Sequence, residues 1–201
     1  MQPAYYENLE EIQNKYWSML DDAVTNRGSP FRIPVFICAH QDEVDGRIVV
    51  LRKSDRENNL LQFHTDFRSP KVSNLKKNNS SQFVFYDHKL KIQMRIKTTS
   101  LVNNQNDKAK EMWNKTRLFS RKCYLTTKDP SSVTSKPEDG IPNHLVGKEP
   151  EYEESEVGYQ NFTVVENKIS EIDWLYLEIS GHRRLKLIFK NLEPEFQWLI
   201  P

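Results

Sequence analysis

The stretch that decides the fold runs from Leu60 to Asn79, LLQFHTDFRSPKVSNLKKNN. Apolar Leu60, Leu61 and Phe63 lead into Thr65-Asp66, which reads as a strand. Arg68-Ser69-Pro70-Lys71 follows, then Val72 and Leu75 at helical spacing before Lys76-Lys77-Asn78-Asn79. Ser69 suits an N-cap, and Pro70 suits the first helical position, where no backbone donor is missed. A strand therefore feeds a short helix. Its free N–H groups and positive dipole end face a cluster of Thr, Arg, Ser and Lys side chains. Such an arrangement suits an anion, most often a phosphate.

Outward from this stretch the chain is rich in short strands. Runs at Arg32–Ala39, Gly46–Lys53, Asn59–His64, Gln82–Asp87 and Lys91–Val102 are separated by polar turns. Asn161–Val165, Glu171–Ile179 and Arg183–Lys190 add three more, and FQWLIP closes the chain with Trp198 and Leu199 expected to pack. Helices are few. Tyr5, Leu9, Ile12, Tyr16, Met19 or Leu20, and Ala23 form one stripe from Tyr5 to about Thr25, ended near Gly28 and Pro30. Asp107 to about Thr116 reads as a second, short helix with Ala109, Met112 and Trp113. Residues 1–28 thus form an N-terminal helix of one 201-residue domain. Residues 126–158, polar and bearing four prolines, are expected to be a long flexible insert.

Many strands without alternating long helices predict an antiparallel sheet. Five or six strands with flanking short helices close most easily into a small barrel, which removes exposed edges. The fold class is therefore mainly β, an antiparallel barrel with short helices. A small barrel fills with side chains, so a ligand must sit outside it.

Composition narrows the function. The net charge of +1 gives no reason to expect nucleic acid or an anionic membrane as partner. No apolar run approaches the roughly 20 residues of a membrane span, and no signal-peptide core is evident. Cys38 and Cys123 have no metal or redox spacing, and both are expected to be core thiols in a reducing compartment, the cytoplasm. His40, His88 and His144 lie in polar segments without ligand spacing, so no metal site is expected. The acidic run Glu149–Glu156 reads as a solvated face.

Two strands carry chemistry. In GRIVVLRK (Gly46–Lys53), alternation places Arg47, Val49 and Leu51 on one face, and Val50 and Arg52 on the other. Arg52 shares its face with apolar residues, so it needs a rim position or an anionic partner. In KIQMRIK (Lys91–Lys97), Lys91, Gln93, Arg95 and Lys97 form a wholly polar face. Gln93 can donate and accept, as a heterocycle with imide-like edges requires.

RIVVLR, FHTDFRSPK, LKIQMRIK and DWLYLEISGHRR, in this order, resemble the pyridoxamine 5'-phosphate oxidase family of FMN-binding split-barrel flavoproteins. The resemblance covers about Phe31 to Pro201, outside the insert, with Lys71 and Gln93 at the family's own separation. It implies FMN as cofactor and a homodimer with two sites at its interface. Arg47, Val49, Val50 and Arg52 would lie beside the flavin, with Arg52 where the family has Lys. His64 and Thr65 match a Tyr-Thr pair, and Ser69 and Lys71 match the phosphate turn. Pro70 replaces an Arg there, so Arg68 is expected to supply the missing donor. Gln93 matches a flavin-contacting Gln, while Trp174 and Arg184 would come from the second subunit. Of the family's substrate set only Ser120 and His182 remain; Met112, Thr116 and Ser180 stand where a Tyr and two Args are expected. The implied activity is an FMN-dependent oxidoreductase acting on a small molecule other than pyridoxamine 5'-phosphate. No catalytic side chain is named, because the flavin carries the chemistry. A non-catalytic flavin-binding protein for storage or sensing is the alternative.

Overall fold

The computed structural model describes residues 4–40, 43–190 and 194–201, and for residues 4, 5 and 40 the backbone alone. The expected contribution of Tyr5 to the first helical stripe, and any side-chain role for His40, lie outside the described residues.

Helix α1 (Leu9–Thr25) is capped by the Asn8 side chain, which accepts from the Glu11 N–H at 3.1 Å. A single 3-10 turn, Ala4–Glu7, precedes it, so the α-helix starts later than the stripe suggested. Ile12, Tyr16, Met19, Leu20 and Ala23 are buried as expected, and Trp17 joins them. The Arg32 guanidinium satisfies its last turn by donating to the Ala23 and Val24 carbonyls at 3.1 and 2.8 Å.

The strands are β1 (Val35–His40), β2 (Glu43–Ile48), β3 (Leu51–Asp55), β4 (Leu60–Asp66), β5 (Ser80–Asp87), β6 (Ile92–Asn104), β7 (Phe162–Tyr176), β8 (Arg183–Phe189) and β9 (Pro194–Leu199). All pairings are antiparallel. The single strand expected over Gly46–Lys53 is bent. Its first arm, β2, pairs with β1; its second, β3, pairs with β4. Val49, at the bend, still donates its N–H to the Pro34 carbonyl at 3.1 Å. This bend closes the ring, because β4 then pairs with β7, β7 with β6, β6 with β5, and β5 with β1. β8 and β9 extend the sheet beyond the ring from the far part of β7.

The barrel is filled. Phe36, Phe63, Phe83 and Phe85 pack as a chain of aromatic rings, with Met94, Ile96, Ile172 and Trp174 fully buried around them. Helix α1 packs on the β3 side, and α2 (Pro70–Lys77) covers β1 with Val72 and Leu75.

Helices α3 (Asp107–Lys115), α4 (Leu118–Arg121) and α5 (Tyr152–Glu156) lie outside the barrel. A second core forms there from Ala109, Trp113, Phe162 and Val164, bordered by Met112, Tyr124 and Tyr159. Residues 162 and 164 reach it because alternation along β7 turns them away from the barrel interior.

Several expectations need correction. The segments Asn161–Val165 and Glu171–Ile179 are one long strand, which ends at Tyr176. Residues 126–158 are not featureless: they hold a 3-10 turn at Asn143–Leu145 and helix α5. The acidic run is not simply solvated. Glu156 accepts from Trp113 Nε1 at 2.8 Å and pairs with the buried Arg121 at 2.6 Å. Glu149 accepts from the Phe119 N–H at 2.7 Å. Cys38 is buried, but Cys123 is exposed. Trp198 is 48% exposed, because β9 runs past the end of the barrel.

Candidate functional site

The opening stretch folds as read. Ser69 is the N-cap of α2, Pro70 occupies its first turn, and β4 ends at Asp66. The Ser69 hydroxyl does not cap the helix backbone. Instead it accepts from Lys71 Nζ at 2.7 Å, and Thr65 Oγ1 accepts from the same ammonium at 2.8 Å.

Lys71 is half-buried, and its pKa falls to about 8 because burial disfavours the ammonium and Arg47 adds a like charge. Asp66 and the buried Cys38 pull weakly the other way. Arg47 is ion-paired with Asp45, yet its Nε is buried with no partner among the described residues. Two cations and two hydroxyls thus meet at the N-terminus of α2. A doubly charged oxyanion there would restore the lysine's proton affinity and engage charge-assisted donors.

Arg68 does not join them. Its Nε and Nη2 donate to Asp66 at 3.0 and 2.7 Å; Nη2 also donates to the Thr126 hydroxyl at 2.8 Å, and Nη1 to the Thr126 carbonyl at 3.1 Å. The donor expected to replace the one missing at Pro70 is therefore spent on tying the turn to the start of the insert. Arg47 and Lys71 carry the positive charge instead.

A second group lies beside the first. The β3–β4 register shifts between Leu51 and Lys53, so Arg52 is the extra residue of a β-bulge. A bulge re-aims a side chain out of strict alternation. Arg52 acts electrostatically on His64, and Tyr124 and Arg32 are its own charged or polar neighbours. His64 packs edge-on against Phe162 at 4.9 Å and meets Gln62 at 3.1 Å. Burial, reinforced by Arg52, lowers its pKa to about 4, so the imidazole is neutral at physiological pH. Val49 is buried and Val50 half-buried at the bend between the two groups.

The remaining expected residues lie elsewhere on the chain. Gln93 and Arg184 flank Leu175 on the outer face of β6, β7 and β8. Arg184 is held by Asp173 at 3.1 and 2.8 Å, and Asp173 also pairs with Arg95. Thr65, by contrast, pairs with Thr163 at the opposite end of β7. Thr163 and Leu175 stand twelve residues apart on this strand, roughly 40 Å of extended chain, so the two groups lie far apart along β7 within one protomer. Ser120, in α4, belongs to the Phe162 end, and His182 stands beyond the Tyr176 end. Trp174 needs correction: it is buried in its own chain's core against Tyr6, ring to ring at 5.5 Å, and is not available to a partner's ligand. Its direct cross-strand neighbours, Met94 and Leu185, are core residues, so its face is fixed by register.

The residues that sequence reasoning missed are the ones that hold others. Gln62 stands two positions before His64 on a strand, and alternation alone puts them on one face. Asp173, the shared partner of Arg95 and Arg184, had no comparable signal.

Known proteins share this architecture. Residues 13–104 match the family described as pyridoxamine 5'-phosphate oxidase, FMN-binding domain. The fold is that of pyridoxamine 5'-phosphate oxidase-related FMN-binding proteins. A pyridoxamine 5'-phosphate oxidase-related FMN-binding protein of Nostoc punctiforme aligns over 100% of both chains at 14% identity, with a TM-score of 0.71. PhzG of Burkholderia lata, solved with tetrahydrophenazine-1-carboxylic acid, aligns over 100% of this chain and 98% of its own, also at 14% identity, with a TM-score of 0.74. A relative of general stress protein 26 from Clostridium acetobutylicum covers 85% of this chain and 93% of its own at 12% identity, with a TM-score of 0.53. No curated protein matches the sequence. The cofactor of this family's domain is FMN. The cluster around Lys71, with the orphaned Arg47 Nε, is the kind of donor set an FMN phosphate needs. The matched segment contains Arg47, Arg52, His64, Thr65, Ser69, Lys71 and Gln93.

Proposed function

We propose that this protein is an FMN-dependent oxidoreductase of the cytoplasm, active as a homodimer. The observation that carries it is the convergence of Arg47, Thr65, Ser69 and Lys71 at the start of α2, where a phosphate has donors and counter-charge. FMN, when bound, supplies the transfer of hydride or electrons. The chain's own part is to hold the phosphate with Lys71 and Arg47 and to border the ring with Val49, Val50, Arg52 and His64. A second chain supplies Arg184 and Gln93, which lie too far along β7 to act in their own chain's site.

The substrate is not pyridoxamine 5'-phosphate. Met112 offers a phosphate no donor, and the Thr116 hydroxyl is already spent on the Met112 carbonyl at 2.8 Å. Arg121, one step from Ser120, is locked to Glu156, Ser155 and the Trp113 carbonyl. A planar substrate with less negative charge suits this face, and PhzG, with its bound tricyclic carboxylic acid, gives a precedent on this fold. The same lack of substrate donors favours a second reading, a protein that holds flavin without turnover.

The test is FMN affinity. Lys71→Ala should weaken FMN binding by about 1.5–3 kcal/mol, the scale of a hydrogen bond to a charged group, while riboflavin affinity stays the same. Equal loss for both ligands would remove the phosphate assignment. Flavin reduced by NADH or NADPH and re-oxidised in air would separate the oxidoreductase from the storage protein.

A further inference from the structure

The Gln62 side chain is 1% exposed, and its Nε2 lies 3.1 Å from His64 Nε2. With the amide NH2 turned toward the ring, as here, the imidazole Nε2 accepts and the ring proton belongs on Nδ1. No protein group among the described residues accepts from Nδ1. The Gln62 Oε1 is buried without a partner among the described residues, and the one side-chain contact given for the amide is to His64.

We propose that Gln62 is a positioning residue that fixes His64 as a neutral, Nδ1-protonated imidazole, so that the half-buried ring beside Arg52 offers a ligand a hydrogen-bond donor. The acceptor such a donor takes is a carbonyl or carboxylate oxygen. The inference rests on the reading of the residues around His64 as the flavin site.

The surroundings support one protonation state. Arg52, re-aimed by its bulge, opposes a second positive charge on the ring. Glu166, the cross-strand neighbour of Gln62, is already engaged by Asn103 at 3.1 Å and Lys108 at 3.6 Å. Phe162 presents an apolar ring, and Tyr124 stays protonated because burial raises its pKa. Among the described residues, nothing packed against His64 is placed to stabilise an imidazolium.

Nitrogen NMR on histidine-labelled protein decides the matter, with FMN and benzoate as separate probes. His64 should show a protonated Nδ1 and an unprotonated Nε2, unchanged between pH 5.5 and 8. Gln62→Leu should mix the two tautomers and weaken binding roughly threefold to tenfold, the scale of one misdirected hydrogen bond. Gln62→Glu, close in shape, should instead create an imidazolium that titrates within that pH window. A shift of Nδ1 on adding FMN assigns the acceptor to the cofactor; a shift only when benzoate joins FMN assigns it to the substrate. Wild-type protein carrying the proton on Nε2, or a Gln62→Glu variant with the wild-type titration, would overturn the proposal. If the tautomer is as expected but neither probe moves it and His64→Phe binds FMN normally, the flavin-site reading fails and the role of Gln62 stands.

Discussion

An ammonium held beside a guanidinium, as Lys71 is beside Arg47, keeps its proton weakly until an anion arrives. The lysine pKa of about 8 has a sign that can be worked through. Without ligand, the folded protein releases this proton near pH 8, while the unfolded chain keeps it to about 10.5. Stability of the ligand-free protein should therefore gain from Lys71 as pH rises from 8 toward 10. Phosphate binding reverses the preference, because the dianion favours the charged amine. FMN affinity should fall above pH 8 with uptake of up to one proton, readable by calorimetry in buffers of different ionisation enthalpy. Lys71→Arg should remove that fall, since a guanidinium does not titrate there. His64 has the same sign on the acid side. Its pKa of about 4 lies below the unfolded value of 6.5, so stability is lost as pH drops from 6.5 to 4. His64→Phe should flatten that arm of the thermal-melting profile.

At the scale of elements, the α3 side of the site makes two predictions. The Met112 and Thr116 positions leave pyridoxamine 5'-phosphate without a phosphate clamp, so steady-state kcat/KM on it should stay below about 10⁴ M⁻¹s⁻¹, the low end for a good enzyme. The helix itself is pinned by α5. Arg121 is buried with Glu156 as its counter-charge, and the same carboxylate holds Trp113. Glu156→Gln should cost about 3 kcal/mol, because removing one partner leaves the buried guanidinium uncompensated. Chemical denaturation would show it, and a loss under 1 kcal/mol would mean that the Trp113 contact matters more than the charge.

These two elements also mark where the sequence was readable. The helix Asp107–Lys115 and the turn at Ser69-Pro70-Lys71 announce themselves through local signals: caps, a proline and apolar spacing. The bend at Val49 and the bulge at Arg52 do not, because both are imposed by pairing with strands far along the chain. The same cause misled the reading of Trp174. Motif spacing suggested a ligand contact, whereas register with Met94 and Leu185 turns it inward. Glu156 looked solvated because its partner Arg121 is 35 residues away. Local chemistry was legible; partners distant in sequence were not.

For the whole molecule, the separation of Arg184 and Gln93 from Lys71 along β7 requires a second chain if all of them touch one flavin. An isologous dimer is the simplest closed arrangement. Sedimentation should find a dimer loaded with flavin. Mixing Lys71→Ala chains with Arg184→Ala chains should rebuild one intact site per heterodimer; a flavin-loaded monomer would end that expectation. The ring of strands has a further consequence, for synthesis. Its closing pair joins residues 60–66 to residues 162–168, so β4 waits for its neighbour while a hundred residues are still to be translated. Until β7 emerges, β4 and β6 each expose an unpaired edge, the kind that captures other chains. Contacts of such long reach also slow folding. During translation, then, this protein should depend on chaperones or low temperature until the ribosome has passed Tyr176, and nascent chains stalled before Phe162 should aggregate where those stalled after Pro201 do not.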